Sequence, residues 1–128
     1  MKVIIKNDKQ IEGIRRSCRL ASQTLDYLTP FVKEGVSTQK INDLAHQFII
    51  DHGAKSASLG YQGFPKSVCT SLNEVVCHGI PSPEDILKKG DILNVDVTTI
   101  LDGFYGDTSR MFLIEPVAKE AKKLVAET

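Results

Sequence analysis

The stretch NVDVTTILDGFYGDTSRMF, Asn94 to Phe112, contains the strongest hairpin signal in this chain. Two β-prone runs flank Asp102-Gly103, and an Asp-Gly pair between such runs is the strongest short signal for a two-residue hairpin turn. A turn of that length pairs Leu101 with Phe104 and fixes the register of the ribbon. The sequence therefore predicts an antiparallel hairpin built from GDILNVDVTTIL and FYGDTSRMFLI.

This register places two aspartates on one face of the hairpin. Asp96 lies opposite Ser109, and Asp107 lies opposite Thr98, so the carboxylates are diagonal neighbours with Cα atoms about 7–8 Å apart. Because side chains alternate along a strand, the other face is apolar and faces the core. That face consists of Leu93, Val95, Val97 and Leu101.

Two carboxylates at this spacing repel each other unless a positive group lies between them. A pair of divalent ions, which in such centres lie about 3.5–4 Å apart, needs oxygen ligands on rigid elements, and paired strands supply that rigidity. Two other interpretations stay open from the residues alone. The aspartates can lie on a solvent-facing side, or a different turn length can separate their faces.

Upstream of the hairpin, apolar spacing predicts two amphipathic helices. The first begins near Asp8 as its N-cap, with the stripe Ile11, Ile14, Cys18, Ala21, Leu25 and Leu28. The second is capped by Ser37 or Thr38 and ends at Gly53, with the stripe Ile41, Leu44, Ala45, Phe48 and Ile49.

Less regular segments connect the second helix to the hairpin. The segment AKSASLGYQGFP, Ala54 to Pro65, is rich in Gly and Ser and is predicted to be a loop, a common location for a site. Lys66 to Leu72 and Val75 to His78 are short β-prone runs. The last stretch, VAKEAKKLVAET, predicts the start of another helix.

Bulk composition indicates one ordinary globular domain, residues 1–128. The chain is 41% hydrophobic and 25% charged, and its 16 basic residues balance 16 acidic ones, so its net charge gives no reason to expect specific nucleic acid binding or membrane binding. No apolar run approaches the roughly 20 residues that span a bilayer. Three cysteines without CxxC spacing fit neither a disulfide framework nor a zinc site, so we expect a cytoplasmic protein.

Two long motifs resemble type I methionine aminopeptidases. They are GYQGFPKSVCTSLNEVVCHGIP, Gly60 to Pro81, and GDILNVDVTTILDGFYGDTSRMF, Gly90 to Phe112, and the two preceding helices also look like the start of that family. The resemblance implies an α+β fold, half of a pita-bread (creatinase/aminopeptidase-like) domain with two N-terminal helices before a largely antiparallel sheet. It implies a metalloexopeptidase that removes the initiator methionine from nascent chains by hydroxide attack at a dinuclear metal centre. The ions would be Co, Mn, Fe or Zn.

Residue roles follow from the same resemblance. Asp96 matches the aspartate that chelates one metal, and Asp107 matches the aspartate that bridges both. His78 matches the histidine that contacts the substrate near the scissile bond and stabilises developing charge. Tyr61, Phe64 and Cys69 match walls of the pocket that receives the methionine side chain. The implied partners are N-terminal Met peptides and the ribosome, and the implied full-length form is a monomer.

Taken without the resemblance, each of these residues has an ordinary structural interpretation. His78 can be a loop histidine, Tyr61 and Phe64 can be core aromatics, and Cys69 can be a small buried hydrophobe. The sequence also departs from close bacterial members, which often carry histidine and cysteine where this chain has Gln62 and Ser58.

The family's catalytic domain is about twice as long as this chain. Its second half supplies one histidine and two glutamates as further metal ligands, and no residue of this chain matches them. We therefore expect the N-terminal half of a methionine aminopeptidase, truncated and weakly active or inactive alone. The alternative is a non-catalytic pita-bread relative that binds peptides or partners.

Overall fold

The computed structural model describes residues 3–128, so Met1 and Lys2 of the expected domain lie outside the described residues. Its helices are α1 (Asp8–Leu28), α2 (Thr38–Asp51) and α3 (Lys119–Glu127), with one 3-10 turn at Tyr61–Gly63. Its strands are β1 (Lys55–Ser56), β2 (Cys69–Leu72), β3 (Ile92–Leu101) and β4 (Phe104–Leu113). The expected order of two helices and then a sheet is confirmed.

The sheet is antiparallel and centred on β3. On one side β3 pairs with β4 along its whole length, and on the other side it pairs with β1 and then β2. Asp102 and Gly103 form the turn, both with positive φ, as a type I′ turn requires. Leu101 pairs with Phe104, so the predicted hairpin and its register are confirmed.

The core lies between the helices and one face of β3. Leu93, Val95 and Val97 are fully buried there, while Leu101 near the turn is half-buried. At about 25 cal/mol per Å² of apolar surface, burial of each such side chain contributes roughly 1.5–3 kcal/mol. The opposite face of β3 is not covered by the helices, and its side chains are partly exposed.

Helix α1 begins at the predicted place but buries a different face. Asn7, not Asp8, is the N-cap, and it forms a capping box with Gln10. The predicted stripe is wrong in its first half, since Ile11 is 43% exposed and Cys18 is also exposed. Ile14, the third residue in the first half of the predicted stripe, is half-buried.

Close packing of helix on hairpin explains that difference. The buried positions in this half of the helix are Gly13 and Ser17. Gly13 lies against the Phe104 ring, and a Cβ at this position would be 2.4 Å from the ring. A Cβ at Gly106 of β4 would lie 2.3 Å from the backbone nitrogen of Cys18. The backbones of α1 and β4 are therefore so close that only small residues fit between them, and larger apolar side chains do not.

Helix α2 follows its prediction more closely. Ser37 is the N-cap and accepts a hydrogen bond from the Lys40 backbone N–H. The stripe members Ile41, Ala45 and Ile49 are buried, and Leu44 and Phe48 are half-buried. Gly53 ends the segment with φ of 72°.

The segment Val75 to His78 does not form the predicted strand. Asn73 and His78 adopt positive φ values of 50° and 54°, which break an extended run. The backbone instead turns back onto β2, where the Thr70 N–H donates to the Gly79 carbonyl at 2.9 Å. The predicted loop 54–65 is likewise interrupted, by β1 and the 3-10 turn.

Among residues 3–128, no helix has both the length and the apolar character needed to cross a membrane. All three cysteines are free thiols, with Cys69 buried and Cys18 and Cys77 exposed.

Candidate active site

The two hairpin aspartates lie on the face of the sheet that the helices leave open. Asp96 is opposite Ser109 and Asp107 is opposite Thr98, as the turn predicts. The Thr98 hydroxyl donates to Asp107 Oδ1 at 3.1 Å and so helps to orient that carboxylate. Asp96 is half-buried, whereas Asp107 is exposed.

The pKa of Asp96 is raised above its usual value. Burial raises the pKa of Asp96, and the charge and hydrogen bonding of the Asp107 carboxyl raise that pKa further. His78 and the backbone N–H of Val97 act in the opposite direction but are weaker causes. Like charges held in this way favour a bound proton or cation between them.

A cavity of about 680 Å³ opens over this face. All six residues that the sequence singles out line it: Tyr61, Phe64, Cys69, His78, Asp96 and Asp107. These residues come from separate parts of the chain, so the fold brings them together. Their individual roles stay predictions.

The aromatic side of the cavity belongs to residues 57–66, which we call the wall loop. Gly60 and Gly63 adopt φ of 83° and 84°, values that favour glycine. The Gly60 N–H donates to the Phe64 carbonyl at 2.8 Å, and the Phe64 N–H donates to the Tyr61 carbonyl at 2.9 Å. This tight turn directs Tyr61 and Phe64 to the same cavity.

His78 is held at the cavity by the chain that follows it. A Cβ at Gly79 would lie 2.1 Å from the Thr70 carbonyl oxygen, so only glycine permits this approach to β2. The Gly79 N–H also donates to Ser71 Oγ at 3.1 Å. The positive φ of His78 therefore has tertiary support on its C-terminal side.

Cys69 forms the floor next to Asp96, its partner in the β2–β3 register. It is 6% exposed. Burial raises the pKa of the Cys69 thiol to about 11, with smaller contributions from Asp96, Cys77 and Asp107. The thiol is therefore neutral near pH 7 and presents an apolar surface to the cavity.

The sequence did not single out Tyr105, which also lines the cavity and is 61% exposed. Tyr105 precedes Asp107 by two residues on β4, so strand alternation alone puts both on one face. The predicted hairpin register was therefore sufficient to place Tyr105 on the same face as Asp107. Ile80, another lining residue, had no comparable signal because it follows an irregular turn.

The donor set of the cavity suits part of a metal centre. Carboxylate oxygens are hard ligands suited to divalent ions, and Asp96 and Asp107 provide them at one place. Within residues 3–128, no group of three or more His, Cys, Asp and Glu side chains is arranged to hold an ion. The two aspartates thus fit a metal site without completing one.

Comparison with known proteins agrees with this picture. Residues 12–128 match the model of metallopeptidase family M24. The chain is 52% identical, over 128 residues, to the methionine aminopeptidase of Rickettsia prowazekii, and this match covers all of the chain and 49% of that protein. The sequence resemblance to methionine aminopeptidases is therefore confirmed.

Solved structures show the same half-length relation. The crystal structure of the R. prowazekii methionine aminopeptidase superposes with a TM-score of 0.95 at 51% identity, covering 98% of this chain and 50% of that one. The Thermotoga maritima methionine aminopeptidase superposes with a TM-score of 0.94 at 28% identity, covering 98% and 50%. The expected half of a pita-bread fold is confirmed, and the chain spans about half the length of the relatives it matches.

Proposed function

The chain belongs to metallopeptidase family M24, and we propose that it acts in the removal of N-terminal methionine from nascent polypeptides. The observation that carries the proposal is the convergence of His78, the aspartate pair and the wall residues on one cavity. The identity of about 50% to methionine aminopeptidases supports the choice of substrate. The substrate class is peptides with a free N-terminal methionine.

Asp96 and Asp107 would hold the metal. We propose two divalent ions, chosen among Co, Mn, Fe and Zn; Asp96 would be a ligand of one ion, and Asp107 would be a ligand shared by both. When bound, such ions activate water and polarise the carbonyl of the scissile bond. Thr98 keeps the Asp107 carboxylate oriented through its 3.1 Å hydrogen bond. His78 contacts the substrate next to the scissile bond and stabilises the charge that develops there.

The apolar end of the cavity would receive the methionine side chain. Tyr61 and Phe64 supply aromatic surface, and the neutral Cys69 thiol supplies a polarisable floor. Contacts between thioether sulfur and aromatic rings contribute about 0.3–1.5 kcal/mol each. This surface favours methionine over polar side chains.

We also propose that residues 1–128 act as one domain that needs further ligands. The carboxylates of Asp96 and Asp107 are too few for two ions, since each ion requires several protein ligands. Within residues 3–128, no third potential ligand is grouped with them. Relatives about twice as long have room for a histidine and two glutamates elsewhere. The chain alone is then weakly active or inactive. We propose that it acts in the cytoplasm, near the ribosome.

Metal titration tests the aspartate roles. Mn²⁺ binding is measured by calorimetry for the chain and for Asp96→Ala, Asp107→Ala and the control Asp85→Ala, an exposed aspartate away from the cavity. We expect each hairpin substitution to lower the affinity at least about tenfold, and the control to leave it unchanged. Equal affinity in all four proteins would refute the assignment.

A peptide assay tests whether the chain alone is incomplete. With Met-Ala-Ser and Mn²⁺ we expect little or no free methionine from the chain alone. Tight binding of two ions with fast turnover would refute the proposed incompleteness.

One observation favours a second candidate, a non-catalytic module that binds peptides. Within residues 3–128, no third His, Cys, Asp or Glu side chain is grouped with Asp96 and Asp107 to hold an ion. Peptide affinity that is equal with and without Mn²⁺, and that survives Asp107→Ala, would favour this module over the peptidase.

A further inference from the structure

Ser67 joins the wall loop to β2, and every polar group of this residue is hydrogen bonded. Its backbone N–H donates to Asn42 Oδ1 at 2.8 Å, and its carbonyl accepts from Ser56 Oγ at 2.6 Å. Its hydroxyl lies 2.7 Å from Nδ1 of His46, in a hydrogen bond that either group can donate. Ser67 is 2% exposed, so water does not replace these partners.

Two of the three partners come from one helix. Asn42 and His46 lie one turn apart on α2, which places both side chains on the same face toward Ser67. Ile41, Ala45 and Ile49 of the same helix are fully buried, so α2 is a fixed support. The third partner, Ser56, precedes the wall loop and also accepts from the Leu59 N–H at 3.3 Å.

The position of Ser67 in the chain gives these bonds a functional meaning. Phe64 of the cavity lies three residues before Ser67, and Cys69 lies two residues after it. Any movement of Ser67 away from α2 would therefore change the spacing between the aromatic wall and the floor. The candidate metal ligands are on β3 and β4, whereas His46 is on α2 and its ring is hydrogen bonded to Ser67.

We propose that His46 is a positioning residue, which acts through Ser67 to set the width of the side-chain pocket. The inference deepens the proposed function, because the pocket is the one that would receive methionine. A wider pocket makes fewer contacts with an unbranched thioether and lowers affinity for methionyl peptides. Metal binding at the aspartates is independent of this contact.

Two substitutions separate the hydrogen bond from the bulk of the ring. His46→Asn places a polar δ atom where Nδ1 lies, so it keeps a partner for the Ser67 hydroxyl. His46→Gln extends its polar group one bond farther and mimics Nε2 instead. The control is Gln47→Ala on the same helix, where the side-chain amide donates to Asp51 at 2.7 Å and does not reach the wall loop.

Hydrogen exchange measured by NMR tests the contact between His46 and Ser67 without requiring activity. In His46→Gln we expect the amides of Gly60, Phe64 and Ser67 to exchange about fivefold to tenfold faster, while the amides of β3 and β4 keep their rates. We expect His46→Asn and Gln47→Ala to match the unmodified chain. Unchanged wall-loop rates in His46→Gln, or faster exchange throughout the chain, would overturn the proposal.

Affinity for Met-Ala-Ser, measured by titration with the same proteins, tests the link to the pocket. We expect a several-fold loss in His46→Gln, recovery in His46→Asn, and equal Mn²⁺ affinity in all of them. Equal peptide affinity in the unmodified chain and His46→Gln would overturn the proposed effect on pocket width. No measurable peptide binding by the unmodified chain counts against the proposed function. The exchange rates then still decide whether His46 holds the wall loop through Ser67.

Discussion

The Asp96 carboxylate opposes folding at neutral pH as long as no cation lies beside it. The pKa of Asp96 is raised by burial and by the neighbouring carboxylate. A raised native pKa means that the folded chain binds the proton more tightly than the unfolded chain does. The stabilisation that this proton provides is present below the unfolded pKa and is lost as the pH rises through the native value.

Replacing Asp96 by Asn should therefore stabilise the metal-free chain at pH 7. We expect a gain of up to about 1 kcal/mol in the free energy of unfolding, the size of a like-charge pair across strands. At pH 3 the gain should vanish because the carboxyl is protonated. Urea denaturation in EDTA at both pH values measures the difference. A destabilised Asn variant at pH 7 would contradict the proposed repulsion.

The three cysteines should differ in reactivity because they differ in exposure. With a pKa of about 11, Cys69 should not react with a disulfide reagent at pH 7.5, while the exposed Cys18 and Cys77 should react. Mass spectrometry should find two modified cysteines in the native chain and three after denaturation. Rapid native modification of Cys69 would contradict its burial.

Among the helices and strands, the hairpin could be predicted from the sequence. The buried face of α1 and the position of His78 could not. Asp102-Gly103 and strict alternation determine β3 and β4 locally, and the register then determines which carboxylates share a face. The face of α1 was misassigned because Gly13 and Ser17 are not apolar, and their burial depends on Phe104 and Gly106 far along the chain. The position of His78 depends in the same way on contacts with β2.

The contact between α1 and β4 yields a prediction for Gly106→Ala. Its Cβ would lie 2.3 Å from the Cys18 backbone, and backbone cannot yield as a flexible side chain can. We expect a loss of about 2–3 kcal/mol in the free energy of unfolding, measured by urea denaturation. Ser109→Ala, an exposed change on the same strand, is the control. A loss below about 0.5 kcal/mol in Gly106→Ala would mean that the helix is not seated this closely.

In the molecule as a whole, strand β4 lies at an edge of the sheet, and its outer backbone groups are not paired with another described strand. Among residues 3–128, the strand pairs with β3 and with no other strand. Tyr105 is 61% exposed on this strand, and Val3 and Ile5 are also largely exposed elsewhere. Long open edges and exposed apolar side chains favour association between molecules.

We expect the chain to associate reversibly at micromolar concentration. Ser109→Lys adds a charge to the open edge and should reduce the association, whereas Ser22→Lys, on an exposed face of α1, should not. Sedimentation velocity at several concentrations measures this. A monomer at all concentrations, or equal association in both variants, would show that the edge is not the cause.

The hairpin also has a consequence for the order of folding. Its strands pair residues that are near in sequence, and hairpins of this kind form in about 1–10 μs. Helix α1 reaches the same strands only through long-range contacts, such as the hydrogen bond from Ser17 Oγ to the Thr99 carbonyl, 82 residues apart. Closing so large a loop is slow. We infer that the hairpin and its carboxylates take shape early, and that docking of α1 then limits the folding rate.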